Sequence, residues 1–260
     1  MPTPSETGAS TDLPLCRATV YAALALGFRP PTAETLVRLT SSEAAGALAD
    51  AARMLEAGAV ASGLSQRAAA LARPELDLET LGGVHRRLFG HTARGEVPAY
   101  ETEYGAEALF QQPQELGDLA GFLRAFGLTL RPEARERIDH VSCECEFLAF
   151  LACKEAYAIE HNDQEMLTGT VRAGMLFLRD HLARFAPAFG RQLVRHDPAG
   201  FYGALGELLL ALVQLDCERL GVPTGSELLG LRPDPATVAV PLGCQSADEA
   251  AGADSEAEAL

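Results

Sequence analysis

Six cysteines, two acid pairs and one Asp-His dipeptide are the residues of this 260-residue chain whose types could do chemistry. Cys16, Cys143, Cys145, Cys153, Cys217 and Cys244 offer thiolates to a soft metal or an iron-sulfur cluster. Glu101/Glu103 and Glu144/Glu146 invite an acid-base reading. Spacing restricts both ideas. Residues two apart on a helix point to nearly opposite faces, so neither acid pair forms a dyad, and each reads as a solvated or ion-paired set. Cys145 and Cys153 stand roughly 12 Å apart along a helix, too far to share one ion, and no Cys-x-x-Cys is present. A metal site, whether iron-sulfur or zinc, would have to join Cys16, Cys143 or Cys145, Cys217 and Cys244, leaving Cys153 in the core. The alternative is that all six are small core residues. His85, His91 and His181 show no ligand spacing. No phosphate loop, nucleophile elbow or His-Glu-x-x-His helix occurs, and an enzyme is not expected.

The elements that must position these residues read as all-α. The chain is rich in Ala and Leu, has 6% aromatics and lacks Trp, a mixture that favours helices. Its net charge of -15 repels phosphate backbones and suits a basic partner, so no nucleic-acid role follows. No apolar run approaches the roughly 20 residues of a membrane span, no secretory signal opens the chain, and a cytoplasmic protein is expected.

Residues 1–12 read as a disordered N-terminus, residues 13–222 as one helical domain with a possible subdivision near 91–112, and residues 223–260 as an extended arm ending in an acidic disordered tail. About nine helices are expected. The first runs from Leu13 to Phe28, with Leu15, Thr19, Ala22 and Leu26 along one side. Thr32, Ser42, Asp77 and Asp163 are expected caps. Pro113 reads as a first helical residue, followed by the stripe Leu116, Leu119, Leu123 and Phe126 up to Gly127. Pro132 opens a long helix to Glu160 unless Asp139 restarts it as a cap; this helix is apolar nearly all round and belongs at the centre. The next helix runs from Asp163 to Pro187. Asp197 and Pro198 start the last, which stops at Gly221 and Pro223.

Glu103-Tyr104 through Phe110, Glu115 through Phe126, and Asp139-His140 followed by Glu144-x-Glu146-Phe147-Leu148 resemble the TorD/DmsD/NarJ family of chaperones. These are all-helical cytoplasmic proteins that mature molybdenum enzymes of the dimethyl sulfoxide reductase superfamily. The resemblance covers 13–222 and is nearest to chaperones of the type II branch. Phe185 stands where the family usually carries Trp. The resemblance implies that the partner is the catalytic subunit of a molybdenum oxidoreductase and its twin-arginine leader, held until cofactor insertion is complete. Such a leader, an Arg pair before an apolar stretch, needs carboxylates beside an apolar groove. Asp139, His140, Glu101, Glu103 and Tyr104 are the candidates for the polar part. Leu109, Phe110, Leu116, Phe122 and Phe126 are those for the apolar wall. The plainer alternative makes Asp139 a cap, His140 a surface residue and the stripe ordinary core. A metal- or redox-sensing helical protein using the cysteines is the competing class. Monomer and domain-swapped dimer are both open.

Overall fold

The computed structural model describes residues 10–57, 63–90, 94–106, 111–131 and 136–233. Leu109, Phe110, Cys244, His91 and the expected N-terminal and acidic tails fall outside the described residues, apart from residues 10–12.

Among the described residues there are ten α-helices and no strand. They are α1 (Asp12–Phe28), the single turn α2 (Ala33–Thr35), α3 (Ser42–Glu56), α4 (Leu64–Ala69), α5 (Leu78–Phe89), α6 (Gln111–Ala125), α7 (Val141–Glu160), α8 (Gln164–Asp180), α9 (Leu182–His196) and α10 (Phe201–Leu220). A π turn, Leu36–Thr40, follows α2, and a 3-10 turn, Glu101–Glu103, precedes α6.

Three start signals act as the sequence predicts. Thr32 forms a capping box with Thr35, Asp77 Oδ1 accepts from Thr80 N at 2.8 Å, and Asp163 Oδ1 accepts from Met166 N at 2.9 Å, each satisfying an orphan first-turn amide. Gly127 and Gly221 end their helices at φ +70° and +66°, a conformation that Gly adopts without strain.

Several boundaries differ from expectation. Ser41, not Ser42, caps α3 through Ala44 N. Pro113 is the third residue of α6, where its missing N–H is still one of the unpaired first-turn donors. α7 begins at Val141, capped by His140 rather than Asp139; residues 136–140 before it are not helical, and Pro132 lies outside the described residues. The helix expected from Asp163 to Pro187 breaks at His181 (φ -128°, ψ -99°), and Pro187 lies inside α9. Proline removes the amide that would bond to the carbonyl four residues back, here Ala183; Gly225 N donates to that oxygen instead, at 2.8 Å.

α7 is the central helix, packed against α1, α8 and α9, with Cys145, Phe147, Leu148 and Leu151 all buried. One connected apolar core extends from Val20 of α1 to Val222 beyond α10. The residues after α10 return across the molecule as a strap. Gly105 N donates to Gly230 O at 2.9 Å, and Arg232 N donates to Glu103 O at 2.8 Å.

Candidate functional site

The residues singled out around the Asp-His dipeptide do converge. Val141 N donates to Ala99 O and Glu101 N to Asp139 O, both at 2.8 Å, pairing Tyr100 with His140 in one antiparallel bridge. The bridge sets the Asp139 side chain under the 3-10 turn. Thr102 Oγ1 donates to Asp139 Oδ2 at 2.7 Å, and Arg137 forks onto both carboxylate oxygens, Nε to Oδ1 at 3.1 Å and Nη2 to Oδ2 at 2.8 Å. Asp139 is 0% exposed. It ties two segments together instead of capping a helix.

His140 is buried too, not a surface residue. Its Nδ1 accepts from Ser142 N at 3.1 Å, and its ring stands edge-on to Tyr100, centroids 5.2 Å apart. Burial pushes its pKa down to about 4, so the ring is neutral at physiological pH. Tyr100 donates to Glu136 Oε1 at 3.0 Å and lies under the Arg137 guanidinium, 4.5 Å from ring centroid to carbon. Burial, then the Glu136 charge, pushes the phenol up to about 12.

Beside this pair lies a second polar layer. Glu101, buried, accepts from His181 Nδ1 at 3.0 Å and stands 3.5 Å from Arg184 Nη1. Its pKa is raised by burial, with the His181 hydrogen bond opposing. Arg184 Nη2 also approaches Glu115 Oε1 at 3.4 Å. Glu115, in the first turn and a half of α6, accepts at both oxygens from Arg232 Nη2 of the strap, each at 3.2 Å. Glu103 pairs with Arg94 at 2.9 Å. Glu144 of α7 is fully buried, and neither of its oxygens has a hydrogen-bond partner. Burial, then the charges of Glu101 and Asp139, drives its pKa well up, so it is held as the neutral acid. Glu146, two residues on, is exposed, as the opposite-face argument predicts.

The apolar candidates pack inward. Tyr104 is buried against Phe185, 5.5 Å away, and donates to Pro98 O at 2.8 Å. Phe122 stands edge-on to Phe177 and His181, and Phe126 to Phe147 and Phe150. Leu116 is half-buried.

The open apolar surface lies elsewhere. A groove of about 870 Å³ runs between α1, the π turn, α3 and α7. Leu15, Thr19, Ala22 and Leu26 form one wall, Ala44, Ala47 and Leu48 another, and Ala149, Phe150 and Cys153 the third. Glu43 and Glu146 stand among its lining residues, and Glu146 is ion-paired with Arg29. The α1 stripe of Leu15, Thr19, Ala22 and Leu26 is therefore a groove wall, while Val20, Tyr21, Leu24 and Phe28 face the core.

The five described cysteines do not assemble. Among the described residues no three His, Cys, Asp or Glu side chains converge as a metal would require. Cys143, Cys145 and Cys217 are buried, Cys16 is half-buried, and Cys153 is exposed on the groove rather than in the core. Burial pushes Cys143 and Cys217 up to about 12, which keeps them as thiols.

Sequence reasoning missed His181, Arg184, Glu115 and Arg232 as members of the polar layer. The signal available for Arg232 was a lone base between a Gly-Pro arm and an acidic tail.

Among the described residues the helical chain carries a polar bridge and an apolar groove, and comparison with known sequences places it in a family. Residues 43–191 match the family model described as Nitrate reductase delta subunit. The chain is 32% identical over 201 residues to the chaperone protein TorD of Salmonella paratyphi B, Salmonella newport and Salmonella dublin, covering 76% of this chain and 89% of each of theirs. The chain belongs to the TorD/NarJ family of molybdoenzyme chaperones. Its role is that of a chaperone, not of an enzyme. No helix of the described residues is long and apolar enough to cross a membrane.

Proposed function

We propose that the chain acts in the cytoplasm as a holding chaperone for the catalytic subunit of a molybdenum oxidoreductase, and that the groove between α1, α3 and α7 receives the apolar stretch of that subunit's twin-arginine leader. The observation that carries this reading is the groove itself, about 870 Å³, mostly apolar along three walls, with Glu43, Glu146 and Arg38 as its charged lining residues. An apolar leader run of about 7–15 residues laid as a helix presents a stripe of side chains at i, i+3, i+4 and i+7, the pattern that such a groove accepts. The net charge of -15 draws a basic segment toward it. Asp139 and His140 serve by positioning: they fix α7, which supplies the third wall. Holding is a mass-action effect. While the leader is bound it is unavailable for export, and release follows when the mature client offers it less.

Isothermal titration with a leader peptide, Arg-Arg followed by an apolar stretch, tests this. Wild type binds it, with affinity falling as salt rises. Ala22→Trp, which fills the groove from an exposed position on α1, loses at least about tenfold in affinity, about 1.4 kcal/mol, with an unchanged helical spectrum. Equal binding by this variant removes the leader from the groove.

A further inference from the structure

The groove between α1, α3 and α7 has two unlike ends, and two ion pairs fix which is which. Arg17, near the start of α1, pairs with Glu155 late in α7, and Arg29, just past the end of α1, pairs with Glu146 early in α7. The two helices therefore run antiparallel. Leu15 shares one end of the groove with Cys153, and Leu26 shares the other with Glu146. The π turn belongs to the Leu26 end, because a Cβ on Gly27 would lie 3.3 Å from Leu39. Glu43 stands four residues beyond Leu39, in the first turn of α3. At 1.5 Å per residue the α1 wall from Leu15 to Leu26 is about 16 Å long, room for roughly eleven helical residues.

Charge is not spread evenly along this length. Arg38, Glu43 and Glu146 are the charged lining residues, and all three stand at the Leu26 end. At the Leu15 end the lining is Leu15, Ala18 and Cys153. Two of the three charges are already matched, Arg38 by Glu34 at 2.8 Å and Glu146 by Arg29. Glu43 is exposed and has no hydrogen-bond or ion-pair partner among the described residues. One end is thus apolar, and the other holds an unmatched carboxylate.

A ligand with bases at one end and an apolar body fits such a groove in one direction. We infer that the client leader lies with its arginines at the Leu26 end, one of them on Glu43, and its apolar stretch directed toward Leu15 and Cys153, in the same sense as α7 and opposite to α1. Reversed, the apolar stretch would cover the unmatched charge of Glu43, and the arginines would reach an end where no lining residue offers a carboxylate. Covering a charge without a partner is costly. The inference rests on the leader reading above and adds to it a direction and the residue that reads it.

Proximity alkylation of Cys153 tests the direction in the full-length Cys244→Ser protein. Two Arg-Arg leader peptides carry one chloroacetamide each, either just before the arginines or seven residues after them. Seven helical residues span about 10 Å, the separation of Cys153 from Glu146 along α7. The second peptide alkylates Cys153 at least about tenfold faster than the first, with the site read by peptide mass mapping, and Ala22→Trp suppresses the reaction. Equal rates, or faster alkylation by the first peptide, overturn the direction; if titration shows that Ala22→Trp still excludes both peptides, the leader stays in the groove. Should neither peptide bind wild type, or both bind Ala22→Trp equally well, the leader reading fails and the direction with it. Glu43→Gln supplies a second measurement. Its affinity for the Arg-Arg peptide falls about threefold at low salt, the size expected of one exposed ion pair, and the difference from wild type disappears as salt is added. No loss, or a loss that salt does not remove, takes the arginine off Glu43 and overturns the proposal.

Discussion

The groove on α1 and the polar bridge at the start of α7 use the same central helix in opposite ways. Along the groove, Ala149, Phe150 and Cys153 meet open space, and the neighbouring ion pair, Arg29 with Glu146, is about half exposed on both partners. At the bridge, Asp139, His140, Glu101 and Glu144 are all within 4% of complete burial. One face is apolar and open; the other is polar and buried, hydrogen-bonded at Asp139, His140 and Glu101 and unpartnered at Glu144. A buried polar network is costly to break and rigid when satisfied, whereas an apolar surface left open contributes nothing until something covers it. Substitutions at the bridge should therefore act on stability, and substitutions at the groove on binding.

The largest expected effect lies at Asp139. Asp139→Ala leaves Thr102 and Arg137 without their acceptor and separates the 97–104 segment from α7, costing about 2–4 kcal/mol. Urea denaturation followed by circular dichroism reads this. A variant as stable as wild type but deficient in leader binding would reverse the contrast and put Asp139 in direct contact with the client.

Two titrating groups sharpen the bridge side, with opposite signs. The folded pKa of His140 is down to about 4 against an unfolded value near 6.5. Between those limits the unfolded chain binds more protons, so stability falls as pH drops from 6.5 toward 4, by up to about 1.4 kcal/mol per pH unit. Glu144 is raised, so its neutral form is accommodated below the unfolded carboxyl pKa and its contribution is lost as pH rises above that value. Glu144→Gln, which cannot ionise, should gain about 1–3 kcal/mol at pH 8 and almost nothing near pH 4.5. Denaturant midpoints measured from pH 4 to 8.5 check both; a flat difference between wild type and Glu144→Gln would mean that the acid is paired.

The smallest effect belongs to the groove edge. Arg29→Ala removes an exposed pair and should shift stability by less than about 0.5 kcal/mol. Freeing Glu146 should tighten Arg-Arg peptide binding a few-fold at low salt, a gain that fades as salt is added.

Much of this contrast could be read from residue order, and the part that could not has a physical cause. The caps at Thr32, Asp77 and Asp163 are local, since each side chain bonds to an amide within three residues; local chemistry is visible in a linear string. The central position of α7 follows from a helix apolar on all sides. The role of Asp139 did not follow, because its partners Thr102 and Arg137 include one 37 residues away, and a turn-forming Asp looks the same whether it caps its own helix or binds a distant loop. Periodicity likewise marked Leu15, Thr19, Ala22 and Leu26 as one stripe of α1 but could not say that this stripe faces a vacancy, because the opposing surface comes from α3 and α7. Pro187 misled for a related reason. Its missing amide is a helix-stopping signal only if the freed carbonyl stays unpaired, and here Gly225, far along the chain, takes it.

Cys153 gives the groove a built-in chemical tag. It is the exposed cysteine among those described, the others being buried or half-buried, and it stands in the groove wall. In a Cys244→Ser background a small maleimide should alkylate Cys153 first, and a bound leader should slow that labelling in proportion to the time the groove is covered. The same thiol is open to oxidation, so if the groove is where a client segment sits, its occupancy should respond to the redox state of the surroundings through Cys153.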